Sequence, residues 1–185
     1  MKHLIAFIPG IALLMLVAGC DVKKNNLSDE QKDSIVVEVP DTAIYGVVGE
    51  GTSMHVLELL TEDGKTMSFA MSQDSCSDIQ GGIFAGDKVT LTTRKGSGED
   101  LEVEKLVNLT SLLGKWTSLD RNFEIQEDGV IVSAMKAESH PYTQWSMVNG
   151  NLVLNADTFA VLLLGPDSMS IENNKGIFVY KRQKP

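Results

Sequence analysis

The sequence predicts an all-β protein built from two small barrels, and three observations carry that prediction. Asp63-Gly64, Asp128-Gly129 and Asn149-Gly150 each lie between runs of β-type residues, and these dipeptides favour two-residue hairpin turns. Period-two alternation flanks the turns. Met67, Phe69 and Met71 share one face opposite Thr66, Ser68 and Ala70, Val89 and Leu91 alternate with Lys88, Thr90 and Thr92, and Phe123 and Ile125 alternate with Asn122, Glu124 and Gln126. No long stretch shows a sustained 3.6-residue period, the mark of an amphipathic helix. One short helix is expected within Ser72–Gly82.

The first segment, residues 35–110, reads as five strands: Ala43–Gly49, Met54–Thr61, Lys65–Ser72, Asp87–Arg94 and Leu101–Leu109. A polar, glycine-bearing connector, Gln73–Gly86, separates the third from the fourth. Three strands, a connector and two strands resemble the OB-fold, with Gly86-Asp87-Lys88-Val89 as the entry to its fourth strand. The second segment, residues 111–185, opens on Gly114-Lys115-Trp116 and carries a second tryptophan at Tyr142-Thr143-Gln144-Trp145. It closes on Gly176-Ile177-Phe178-Val179-Tyr180-Lys181-Arg182. A Gly-x-Trp on the first strand, two tryptophans and a meander of eight short strand candidates resemble the small lipocalin-like domains of Gram-negative surface lipoproteins. The resemblance implies an up-and-down barrel, which either holds one small ligand or is filled by its own side chains.

The N-terminus reads as an address. Lys2 and His3 precede an apolar run, Leu4–Leu16, that is too short for a membrane span of about 20 residues and suits a secretion signal. It ends in Val17-Ala18-Gly19-Cys20, a small-residue cleavage site followed at once by cysteine, which resembles the lipobox of bacterial lipoproteins. The resemblance implies removal of residues 1–19 and lipidation of the Cys20 thiol, so that Cys20 holds the protein to a membrane. Two or three acyl chains make such an anchor stable. The expected location is the cell envelope, with the outer membrane favoured over the inner, although Asp21 after the cysteine is an inner-membrane retention signal in some bacteria. Residues 20–34 then form the lipidated cysteine and a polar tether, with only Val22 and Leu27 apolar between Asp21 and Ser34.

Composition limits the function classes. The chain of 185 residues is 43% apolar, with 16 basic and 25 acidic side chains and a formal charge of −9. Loss of the signal segment removes Lys2 alone among the charged groups and takes the charge from −9 to −10. Such a balance argues against a nucleic-acid partner, which needs clustered Lys and Arg. It also leaves membrane attachment to acyl chains, because anionic lipid repels an acidic protein. Once Cys20 is lipidated, Cys76 is the remaining thiol and no intramolecular disulfide forms.

Candidate chemistry is sparse. Trp116 is expected to pack the barrel, since aromatic rings supply the largest buried area per residue, and Trp145 is the candidate ligand-binding residue for a small apolar molecule. The run Phe159–Leu164 is too continuous for a strand with one wet face and is expected to be covered on both. Met54, His55, Met67, Met71 and Cys76 make a second set, soft donors suited to Cu(I). Here the comparison is with envelope lipoproteins of the copper-stress NlpE type, which also combine a lipocalin-like and an OB-like domain. In this chain the domain order is reversed and no Cys-x-x-Cys is present, so no metal or other cofactor is assigned. No catalytic residue is assigned either. The chain lacks Gly-x-Ser-x-Gly, His-Glu-x-x-His and a phosphate-binding glycine loop, and Cys76 lacks a nearby cation to activate it. The reading is a non-enzymatic envelope module that binds a small apolar ligand or another envelope protein. The alternatives are a metal or stress sensor, or a purely structural protein–protein module.

Overall fold

Among the described residues, fourteen short strands in two sheets make up the fold. The computed structural model describes residues 40–71, 78–96, 98, 100–134 and 139–184. The expected signal segment (residues 1–19), Cys20, the expected tether (residues 20–34) and Cys76 lie outside the described residues. Both sheets belong to one compact unit spanning residues 39–185.

The first sheet comprises β1 (Ile44–Val48), β2 (Val56–Thr61), β3 (Thr66–Ala70), β4 (Asp78–Gln80), β5 (Lys88–Lys95) and β6 (Leu101–Asn108). Its order is β3-β2-β1-β5-β6, and a parallel pairing of Ala70 with Glu102 joins β3 to β6 and closes the ring of five. This is the OB-type barrel order expected from the strand sequence. The short β4 lies further along the same edge of β6, also in parallel. Inward positions carry Val48, Leu57, Leu59, Phe69, Val89, Leu91, Val103 and Leu106, all buried. Burial of each such side chain contributes roughly 1.5–3 kcal/mol. Gly46 of β1 permits the close approach of β2, because a Cβ there would lie 2.5 Å from the Leu60 carbonyl oxygen.

The second sheet comprises β7 (Gly114–Thr117), β8 (Asn122–Ile125), β9 (Ile131–Ser133), β10 (Trp145–Val148), β11 (Asn151–Leu154), β12 (Asp157–Leu164), β13 (Ser168–Asn173) and β14 (Gly176–Arg182). The strands of each successive pair are antiparallel, β14 returns to β7, and a single bridge between Val130 and Gln144 links the β9 and β10 sides. The result is a nearly closed eight-stranded up-and-down barrel. Its interior holds Trp116, Phe123, Tyr142, Phe159 and Tyr180. Phe123 meets Tyr142 and Tyr180 edge to face at 5.6 and 5.1 Å, and Phe159 meets Tyr142 and Phe178 at 6.4 and 5.8 Å. These rings fill the barrel.

Three expectations need correction. Residues 72–77 of the expected helix lie outside the described residues, and Asp78–Gln80 is strand β4. The α-helix among the described residues, α1 (Leu109–Leu112), sits between the sheets, where Asn108 caps it by accepting from the Ser111 amide at 2.8 Å. The Asp128-Gly129 turn is longer than two residues. Gln126–Val130 separates the paired Ile125 and Ile131, with a 3-10 turn at Glu127–Gly129 and positive φ at Asp128 (62°) and Gly129 (78°). Finally, Phe159–Leu164 is not covered on both faces. A register shift between Val161 and Leu163 breaks the alternation, and Leu162 and Leu163 are exposed while Phe159, Val161 and Leu164 are buried.

The two barrels meet through a shared apolar core. Val107 of β6 and Leu112 of α1 are fully buried in the cluster of the second sheet, with Tyr45, Leu109 and Leu113 packed against it. Thr90, on the outward face of the first barrel, is therefore buried rather than wet. The 110/111 boundary read from the sequence falls inside α1. Polar contacts fix the junction. The Tyr45 hydroxyl lies 2.5 Å from Asp41 Oδ2 and 2.9 Å from the Met147 carbonyl oxygen. Asn149 Oδ1 accepts from the Thr42 amide at 2.8 Å, and the Asn149 amide donates to Asp41 Oδ1 at 2.9 Å. Further round, the Leu164 amide donates to Gln80 Oε1 at 2.8 Å. Burial, reinforced by the adjacent Asp41 carboxylate, pushes ionisation of Tyr45 well up. Burial also raises Asp41, but hydrogen bonds from Tyr45, Asn149 and Ala43 outweigh it and hold that carboxyl below its usual range.

Candidate functional site

Trp116 lies at the junction end of the second barrel as a packing residue. Its ring is fully buried, its Nε1 donates to the Leu112 carbonyl at 2.9 Å, and the Arg182 guanidinium carbon stands 4.1 Å from the ring centroid. Arg182 donates to three backbone carbonyls there. Its Nε donates to Pro166 O at 2.8 Å, its Nη1 to Leu113 O at 2.7 Å and its Nη2 to Ser111 O at 2.5 Å. The glycine of Gly-x-Trp has a physical reason. Gly114 holds φ at 124°, and a Cβ there would stand 2.7 Å from Arg182 Nη1.

Trp145, the candidate ligand residue, opens β10 and is half-buried. Its Nε1 donates to the Gln126 carbonyl at 2.7 Å, which fixes the indole and satisfies its only donor. One groove beside it, about 330 Å³, is lined by Leu109, Thr110, Leu113, Lys88, Glu127 and Asp128, with Gly86 at its edge. A second, about 340 Å³, runs over Val130, Gln144 and Val153. A third, about 240 Å³, continues from Lys88 and Leu109 across Gly46 and Val47 to Leu60 and Tyr45. The first and third share Lys88 and Leu109 and follow the seam where the two sheets meet. Lys88 Nζ lies 3.7 Å from Glu127 Oε1 across that seam, and both side chains are solvated, so the pair orients the rim and contributes little stability. The surface offers an apolar strip of Leu109, Leu113 and the Trp145 ring, with charge of both signs at its margin.

The soft-donor set does not converge. Met67 faces Leu59 and packs against the first core, whereas Met71 lies across from His55, its amide donating to the His55 carbonyl at 2.8 Å. Four residues of extended chain separate the Met67 and Met71 α-carbons by about 13 Å. Met54 and His55 are exposed, and Cys76 lies outside the described residues. His140 is exposed, with its carbonyl accepting from Arg121 Nη1 at 3.1 Å.

Sequence reading singled out Trp145 but missed its groove partners. Leu109 opens and Leu113 ends a helix that carries no sequence period at four residues, and Lys88 reads as an ordinary outward strand residue. Comparison with family models, curated proteins and solved structures found no match.

Proposed function

We propose that the protein is a lipid-anchored lipoprotein of the cell envelope whose paired barrels act as a non-enzymatic binding or interaction module. One observation supports this above the others. The barrel interior is occupied by its own aromatic side chains, while the half-buried Trp145 ring, held by Gln126, faces an open groove with Leu109, Leu113 and Lys88. A filled barrel directs binding to the outside. A small apolar ligand would stack on the indole and cover the leucines, with no step of chemistry required.

Two experiments test the halves of this reading. Native mass spectrometry of the lipidated protein, extracted gently in detergent, should show an added mass that denaturation releases and that Trp145→Ala loses. The same bare mass for both proteins would overturn the carrier role. Separately, Cys20→Ser should move the protein from the membrane to the soluble fraction on fractionation of the expressing cells, because one acyl chain is marginal for anchoring and none leaves only an acidic surface. Unchanged membrane retention would refute the anchor.

A further inference from the structure

The two tryptophans differ in what stands over their rings. Arg182 stacks on Trp116 with its guanidinium carbon 4.1 Å from the ring centroid, and Arg121 stacks on Tyr142 at the same distance. Among the described residues no cation stands over Trp145. Its indole N–H is already given to the Gln126 carbonyl at 2.7 Å, so the ring offers a ligand its π face rather than a donor. That face carries negative potential and attracts cations, most strongly in tryptophan. The Asp128-Gly129 turn packs directly against this residue, since a Cβ on Gly129 would lie 3.0 Å from the Trp145 carbonyl oxygen. Asp128 and Trp145 together line both grooves that meet there, of about 330 and 340 Å³. The charges around them are unequal. Lys88 lies 3.7 Å from Glu127 Oε1, which leaves Asp128 without an ion pair among the described residues. Where the seam continues past Leu109, Glu62 adds another carboxylate beside the same Lys88. One lysine against three carboxylates leaves the seam at −2. Flanking charges do not offset this. Asp87 Oδ2 accepts from Asn108 at 2.6 Å, Arg182 is committed to three carbonyls, and Lys115 stands across from Glu124 on β8.

We propose that the groove at Trp145 takes a small organic cation, an ammonium or guanidinium group carried on an apolar body. The cationic head lies over the indole within reach of Asp128, and the body covers Leu109 and Leu113. This inference rests on the binding reading above and deepens it by assigning the sign of the ligand's charge. Charge complementarity selects the occupant. A carboxylate ligand has only Lys88 to pair with, which Glu127 already faces, and Asp128 repels it. A neutral apolar ligand gains the leucines but leaves the π face and the Asp128 carboxylate without a complement. A cation on the ring uses both, and the acidic balance of the whole chain, −9, draws it in from a distance. Each groove is of the size that holds a small molecule.

The test compares three probes of similar shape: meta-hydroxyphenyl-trimethylammonium, its neutral isostere meta-tert-butylphenol, and the anion meta-hydroxybenzenesulfonate. Each is titrated against the full protein in nonionic detergent and read by tryptophan fluorescence, with Trp145→Ala as the baseline for uptake by micelles. Trp116 is fully buried, so the response reports Trp145. The cation is expected to bind at least about tenfold tighter than the neutral isostere, and the anion more weakly than either. Asp128→Asn should weaken the cation about fivefold and leave the neutral probe unchanged. Asparagine tolerates the positive φ that Asp128 holds, 62°, so the turn is kept. Added salt should weaken the cation alone, which checks the charge term without any variant. Equal affinity for the cation and its neutral isostere, or a tighter anion, would overturn the inference while leaving the groove as a binding site. An Asp128→Asn variant that kept the full preference for the cation would overturn it as well. No saturable binding by any probe at millimolar concentration would overturn the groove reading, and this inference with it.

Discussion

Trp116→Ala should lower the unfolding free energy by about 3–5 kcal/mol, the range for truncating a large buried aromatic. The ring is fully buried between the barrel interior and α1, so its loss leaves a cavity at a place pinned on two sides. The Leu112 carbonyl would lose its indole donor, and Arg182 would lose the face it stacks on while still held by three carbonyls. Those bonds restrain the collapse that would otherwise soften the cost. Trp145→Ala provides the contrast, because that ring is half-buried and lines open grooves. Urea unfolding of both variants separates the roles: a large shift for Trp116 and a small one for Trp145 match the structure. Equal shifts would show that Trp145 is core after all, and that its groove is incidental.

Sequence pattern located the strands well because both barrels wet one face of most strands, which leaves alternation readable. Phe69 faces in between Thr66 and Ala70, and Phe123 and Ile125 are buried while Asn122 and Glu124 are half-buried. The turn dipeptides Asp63-Gly64 and Asn149-Gly150 likewise fall between β2 and β3 and between β10 and β11, the second as the expected two-residue turn and the first inside a three-residue loop closed by the Thr61 amide donating to the Lys65 carbonyl. Pattern fails where one barrel covers the other. Thr90 alternates with Val89 and Leu91 and so reads as solvent-facing, yet it is buried, because the outward face of the first barrel lies against the second. The helix α1 and strand β4 are four and three residues long, too short to carry a period. The bulge in β12 has the same effect in reverse, since an inserted residue turns Leu162 and Leu163 to solvent in a run that composition alone reads as core. As for the candidate site, one residue of it was legible. Trp145 stands out as a rare aromatic, but its groove is assembled by Lys88, Leu109 and Leu113 from separate elements.

Leu112→Ala should lower stability by about 2–5 kcal/mol and, more informatively, should lower it for both barrels at once. Leu112 lies on the short helix that links the sheets and is fully buried in the second core. Val107 reaches that same core from β6 of the first sheet, and Asp41, Tyr45 and Gln80 add polar ties to Asn149, Met147 and Leu164. Each barrel thus presents to the other a face that separation would expose, and neither can unfold without uncovering apolar surface on its neighbour. A single calorimetric transition is therefore expected for the wild type, with calorimetric and van't Hoff enthalpies in agreement, and Leu112→Ala and Val107→Ala should each move the whole of it. Two transitions, of which each variant moved one, would show two barrels that are neighbours without being coupled. Coupling also bears on binding, because the groove beside Trp145 takes Lys88 and Leu109 from the first segment and Glu127 from the second. Loosening the junction through Val107 should then weaken any ligand held at Trp145, although Val107 does not line the groove.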